Sequence, residues 1–256
     1  MNRLIFKQFH NDGAISVQGA NLREAVDFLR HQCSMLYGGR VPVRPWDIRE
    51  LHNPWGRAAA KLDRWRFLDL CQSPALLDIV SQLIGPDVIL YDSQFVSHTV
   101  AADPTAQDAE TDHLMFPVEP AAGVTVRLPF RAPGSEPARF VFARASHSPG
   151  DLKFDTVHLS MTVGRLIFHD PGVKYRIVHP GADCTPFEYV IRYFPATSRY
   201  IRDPSAPKQL QLMERLPLIN FSKLPLWLVL GEDKAGNDFV TGFHSKPPRW
   251  TGEPSC

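Results

Sequence analysis

The chain has 256 residues, 44% of them apolar and 21% charged, which is ample for a buried core and excludes disorder of the whole chain. With 28 basic against 27 acidic residues the net charge is +1, so no global field draws the protein to nucleic acid or to an anionic membrane. A small molecule is the expected partner. The opening MNRLIFKQFHNDGA lacks the apolar segment of a signal peptide, and no run approaches the ~18 apolar residues of a membrane span, so a cytoplasmic monomer or homodimer is expected. Cys33, Cys71, Cys184 and Cys256 stand far apart without CxxC spacing and read as reduced thiols.

Taken in chain order, residues 21–37 read as an amphipathic helix. Asn21 and Glu24 have capping-box spacing, and Leu22, Val26, Leu29, Cys33 and Leu36 recur at helical intervals. A second helix is expected over 74–84: Ser73 caps it, Pro74 suits its first position, Leu76, Leu77, Val80 and Leu83 form its stripe, and Gly85 ends it. Beyond Gly85 come short β-rich runs: Val88 to Tyr91, Gln94 to Val100, Val124 to Leu128, Arg139 to Ala143, Leu166 to His169 and Tyr189 to Phe194. Proline clusters mark loops at Asp103 to Ala106, Ala132 to Ala138 and Asp203 to Pro207. The last segment, 204–256, is less regular, with Leu224 to Leu230 as its main apolar run; it reads as a lid or a sheet-covering extension. Helices followed by many strands imply one mainly β domain over 1–256, a jelly roll with a core of about 86–195 and helices outside it.

Chemistry has to come from a few groups. The chain has no Gly-x-Ser-x-Gly elbow, no Walker loop and no dinucleotide glycine fingerprint, so those classes drop out. Four of its ten histidines, His113, His147, His169 and His179, fall near strand ends of the β-rich half. Arg127 alternates with Val126 and Leu128 and faces either an anionic substrate inside or, as is commoner for an arginine, solvent. Trp227 and Trp250 read equally as packing residues or as a pocket cover.

Five segments, in order, resemble the phytanoyl-CoA dioxygenase family of iron(II)/2-oxoglutarate oxygenases. They are FHNDGAISVQGA with the helix after it, LDLCQSPALLDIVSQLIGPDVILYDSQFV, TDHLMFPVEPAAGVTVRLPF, ARFVFARASHSPGDL, and LIFHDPGVKYRIVHPG followed by EYVIRYFP. Together they cover residues 6 to about 195. The resemblance implies a double-stranded β-helix of cupin type, with iron(II) and 2-oxoglutarate as cofactors and a natural-product or other small-molecule substrate. It makes His113 and His179 the metal-binding catalytic histidines, and His147 a structural turn residue. Arg192 becomes the anchor of the cosubstrate's far carboxylate, a task suited to a planar guanidinium. Gln94 and Tyr91 are expected to line the same pocket, with Met115, Arg127 and His169 toward the substrate.

The chain departs from the family's His-x-Asp at Met115, a soft thioether unsuited to replacing an iron(II) carboxylate. If the segment is a regular strand, Met115 shares a face with His113, and Glu110 and Asp112 lie on the opposite face. Three readings follow: a halogenating site, although methionine fills the space chloride needs; a recruited carboxylate from Glu110, Asp112 or Asp170; or a metal-poor relative that binds a small molecule or partner or acts without redox turnover.

Overall fold

The computed structural model describes residues 3–19, 22–38, 42–56, 58, 61–97, 109–131, 138–144, 155–178 and 187–239. His147, His179, Asn21, Cys184, Trp250 and Cys256 lie outside the described residues.

Helix α1 (Arg3–Asp12) leads through Gly13 into strand β1 (Ala14–Gln18), followed by α2 (Leu22–Tyr37), α3 (Arg64–Cys71) and α4 (Pro74–Ile84). Strands follow: β2 (Val88–Ser97), β3 (Val118–Glu119), β4 (Val124–Arg131), β5 (Arg139–Ala143) and β6 (Thr156–Ser160). After them come β7 (Arg165–His169), β8 (Tyr175–Val178), β9 (Phe187–Pro195), β10 (Arg199–Tyr200), helix α5 (Pro207–Arg215) and β11 (Trp227–Leu230). The run expected as two strands, Val88 to Tyr91 and Gln94 onward, is the single strand β2, with a bulge between Leu90 and Asp92 that keeps it paired to β9.

An antiparallel sheet of six strands, in the order β1-β7-β4-β9-β2-β11, faces a three-stranded sheet, β6-β5-β8. This is a double-stranded β-helix jelly roll. Two strands of the large sheet, β1 and β11, lie outside residues 86–195, so segments from both ends of the chain extend the sheet beyond that stretch.

Both faces of the large sheet are covered. One face carries Val124, Val126 and Leu128 of β4 and Tyr189, Ile191 and Tyr193 of β9, packed with Val26, Leu29, Phe67, Leu77 and Val80 of the helices. The alternate positions, Thr125 and Arg127 on β4, Glu188 and Arg192 on β9, and Ile167 and His169 on β7, are buried too. Ile167 packs there with Phe140, Phe142, Tyr175 and Ile177 of the small sheet. A sheet buried on both faces reads as near-continuous apolar runs, and its few charged positions must find partners inside. A further cluster, with Tyr91, Met115, Phe116, Phe194, Tyr200 and Leu212, joins the C-terminal segment to the end of the barrel. Among the described residues, no single helix is long and apolar enough to cross a membrane.

Candidate active site

The barrel interior holds a connected set of ion pairs. Arg192 points inward from β9; its Nη1 donates to Asp92 Oδ2 at 2.6 Å, and its Nε and Nη2 donate to Asp112 Oδ2 at 3.2 and 3.1 Å. Register explains the first contact, since Asp92 of β2 stands directly opposite Arg192. Arg49 adds a second cation, 3.9 Å from Asp92.

Arg127 is the centre of the other half. Its Nε donates to His169 Nε2 at 2.9 Å, its Nη1 pairs with Glu188, and its Nη2 donates to Tyr175 Oη at 2.6 Å and reaches Asp112 Oδ1 at 3.4 Å. The guanidinium lies 4.8 Å from the ring centroids of both Phe140 and Tyr175. Arg127 is only 2% exposed, which corrects the expectation of a solvated strand face: that face of the sheet is covered by the small sheet.

Asp112 joins the halves. Thr125 Oγ1 donates to its Oδ2 at 2.8 Å and Tyr175 Oη to its Oδ1 at 3.0 Å, in addition to the two arginines. Burial alone would raise its pKa, but Arg192, then Arg127, hold it far below the ordinary carboxylate range, so Asp112 is an anion. Burial chiefly, and then Arg127, lowers His169 to about 4. Arg127 can only donate, so the neutral His169 ring accepts at Nε2 and its Nδ1–H donates to the Asp170 carbonyl at 3.1 Å. Burial raises the Tyr175 phenol well above its usual range and keeps it protonated.

The other expected site residues are dispersed. Residues His113–Met115 form a single 3₁₀ turn where a regular strand was expected, so the alternation that placed Asp112 away from the site does not apply. In that turn Asp112 is buried inside and His113 is exposed. Met115 is buried in the C-terminal cluster, where Tyr91 Oη donates to its carbonyl. Tyr91 packs with Phe116, Phe194 and Tyr200, near enough to Arg192 and Asp92 to feel their charges. Gln94 is bridged to Arg49 at the rim of a groove lined also by Tyr37 and Ile48. Asp170 Oδ1 accepts from the Gly172 backbone in a turn. Trp227 is buried in β11 and stacks on Trp55, centroids 5.6 Å apart, as a packing residue.

Asp92, Glu188 and Tyr175 are interior residues that the sequence reading does not single out. A period-2 reading of EYVIR already puts Glu188 and Arg192 on one face, and an aspartate inside VILYDSQFV is the other available signal.

Iron(II) does not fit the described residues. No three His, Cys, Asp or Glu side chains among them are placed to hold a metal. The one inward carboxylate of the segment, Asp112, has both oxygens committed to donors, and His113 beside it is turned out.

No family model and no curated protein sequence matches the chain. Solved structures do share its fold. The non-heme monooxygenase ThoJ, in a nickel complex, superposes with a TM-score of 0.65 at 16% identity, over 96% of this chain and 89% of ThoJ. CytC3 with Fe(II) and alpha-ketoglutarate gives 0.65 at 14% identity, over 96% and 94% of the two chains. SnoN, a non-heme alpha-ketoglutarate-dependent epimerase from nogalamycin biosynthesis, gives 0.62 at 18% identity, over 84% and 89%. The jelly roll of this chain is thus the one found in non-haem iron and 2-oxoglutarate-dependent enzymes.

Proposed function

We propose that this chain is an enzyme of specialised small-molecule metabolism, in the phytanoyl-CoA dioxygenase-like branch of the non-haem iron(II)/2-oxoglutarate oxygenases. Its reaction is hydroxylation or a related C–H oxidation. The observation that supports this is the likeness over 96% of the chain to CytC3, a structure holding Fe(II) and alpha-ketoglutarate. Iron(II) and 2-oxoglutarate are the cofactors under this reading. It requires His113 and His179 to meet at the metal, and Arg192 to exchange Asp112 for the cosubstrate's far carboxylate. The test is anaerobic loading with Fe(II), metal analysis of the desalted protein, and succinate measured after addition of 2-oxoglutarate and oxygen. Retained iron and 2-oxoglutarate-dependent succinate are expected; protein that retains no iron and forms no succinate overturns the reading.

A second reading, a metal-poor relative that binds or converts a small molecule without redox turnover, is favoured by one specific observation. Asp112, Asp92 and Glu188 neutralise Arg49, Arg127 and Arg192 one for one, inside the barrel. A buried arginine with full carboxylate partners gains little by exchanging them for a ligand anion, since breaking the pairs leaves charges uncompensated.

A further inference from the structure

The metal-poor reading leaves open what stands where the metal ligands would be. We infer that the place of a two-histidine, one-carboxylate motif in this barrel is taken by Glu110, Asp112 and Tyr175. With Arg127 and Arg192 these form a site that binds neither a divalent metal nor a dicarboxylate. The inference rests on the metal-poor reading above.

A facial triad takes two ligands from one side of the barrel and a third from a neighbouring segment, all aimed at one point. The described residues contain such an arrangement three residues before the expected one. Glu110 forms an antiparallel bridge with Tyr175 of β8, with Glu110 N to Tyr175 O at 2.7 Å and Tyr175 N to Glu110 O at 2.9 Å. Asp112 follows at the spacing of His-x-Asp. Tyr175 Oη stands 3.0 Å from Asp112 Oδ1 and 3.5 Å from Glu110 Oε2, so three side chains from paired segments meet at one hydroxyl.

The residue types then decide the chemistry. Both positions that a facial triad would fill with neutral imidazole donors carry other groups, one an acid and one a protonated phenol. A phenol is longer than an imidazole by about the length of a metal–nitrogen bond, roughly 2 Å. Its oxygen therefore occupies the volume that a metal held by a histidine at 175 would fill. Arg127 Nη2 already donates to that oxygen at 2.6 Å, and a guanidinium on the ligand atom repels a divalent cation as well.

Charge argues against the cosubstrate. The six interior groups sum to zero, and Glu110, exposed at the rim, adds one negative charge. Among the described residues Arg127 and Arg192 are held by carboxylates, and Arg49 keeps one buried nitrogen without a hydrogen-bond partner, so a doubly anionic 2-oxo acid has to displace existing pairs to bind by two cations. The Glu110 carboxylate offers an acceptor to a ligand hydroxyl or ammonium group.

Cobalt(II) and 2-oxoglutarate are the probes, titrated by calorimetry, with cobalt followed also by its visible absorption. Under the metal-poor reading the native chain is expected to show no saturable binding of either. The double variant Glu110→His/Tyr175→His, which leaves Asp112 in place, builds two histidines and a carboxylate at the meeting point. It is expected to bind cobalt at least tenfold more tightly than the native chain and to show the absorption of nitrogen-ligated Co(II). Saturable cobalt or 2-oxoglutarate binding by the native chain overturns the inference. A double variant that is folded by circular dichroism yet gains no cobalt affinity overturns the residue assignment while leaving the metal-poor reading intact. If the double variant does not fold, Tyr175→His alone, which removes the phenol oxygen and leaves Glu110 and Asp112 as carboxylate donors, serves instead: a tenfold gain in cobalt affinity supports the assignment and no gain overturns it. Succinate formed by the native chain, by contrast, overturns the metal-poor reading itself.

Discussion

At the scale of single residues, Asp112 accepts hydrogen bonds from Thr125, Tyr175 and two guanidiniums, all of them buried and so poorly screened by water. Removing one member of a buried ionic set leaves the others desolvated without compensation, and that penalty exceeds the value of the pair that was lost. Asp112→Ala is therefore expected to lower unfolding stability by about 3–5 kcal/mol, read from the urea midpoint at neutral pH. A loss under about 1 kcal/mol, the range of an exposed ion pair, would show that Arg127 and Arg192 reach water in the folded chain. His113, one position along the same turn, is exposed and makes none of these contacts, so sequence neighbours differ completely in what they contribute.

At the scale of elements, the 3₁₀ turn at His113–Met115 is what carries Asp112 inward, and it is held against β4 by a close approach. Phe116 follows the turn, buried edge-on to Tyr91, and the backbone of Gly123 lies directly against it. A Cβ at 123 would stand 2.2 Å from Phe116 Cε1 and 2.8 Å from the Tyr193 carbonyl oxygen, the second of which is sheet backbone and cannot move aside. Gly123→Ala is expected to cost about 1–3 kcal/mol by overpacking and to displace Phe116, visible as altered near-ultraviolet circular dichroism. An unchanged melt would mean that the start of β4 shifts freely. Helix α4 is a simpler case: its apolar stripe, Pro74 at the first position and Gly85 in a positive-φ conformation all lie in local sequence, and the helix runs Pro74–Ile84.

At the scale of the whole molecule, the buried titratable groups set the pH range in which the jelly roll persists. His52 and His169 are both lowered to about 4 by burial, against an ordinary imidazole value near 6.5 in the unfolded chain. Between those values the unfolded chain binds more protons, so stability is full above about 6.5 and is lost as pH falls toward 4, on the order of 3 kcal/mol for each ring. Asp112 acts in the same direction at lower pH, because its depressed folded pKa contributes stability that is lost below the ordinary carboxylate range near 3.9. The melting temperature is expected to fall between pH 7 and pH 5; a flat profile there would show that neither ring is buried neutral.

What local sequence determined is everything that follows from periodicity and punctuation: the two amphipathic helices, the run of short strands after Gly85, β5 at Arg139–Ala143 and the jelly-roll class. What only the tertiary structure decided is which polar residues face inward. Alternation along a strand says that Arg127 and Arg192 each share a face with their i±2 neighbours, but not which face is covered, and here the small sheet covers one and the helices the other. The stretch around His113 shows the same limit: one 3₁₀ turn in place of a strand exchanges inside for outside, turning Asp112 in and His113 out, and a turn of that kind is set by the packing of Phe116 and Met115 against the C-terminal cluster. Burial is a property of what lies opposite a residue in space, and its neighbours in sequence do not specify it.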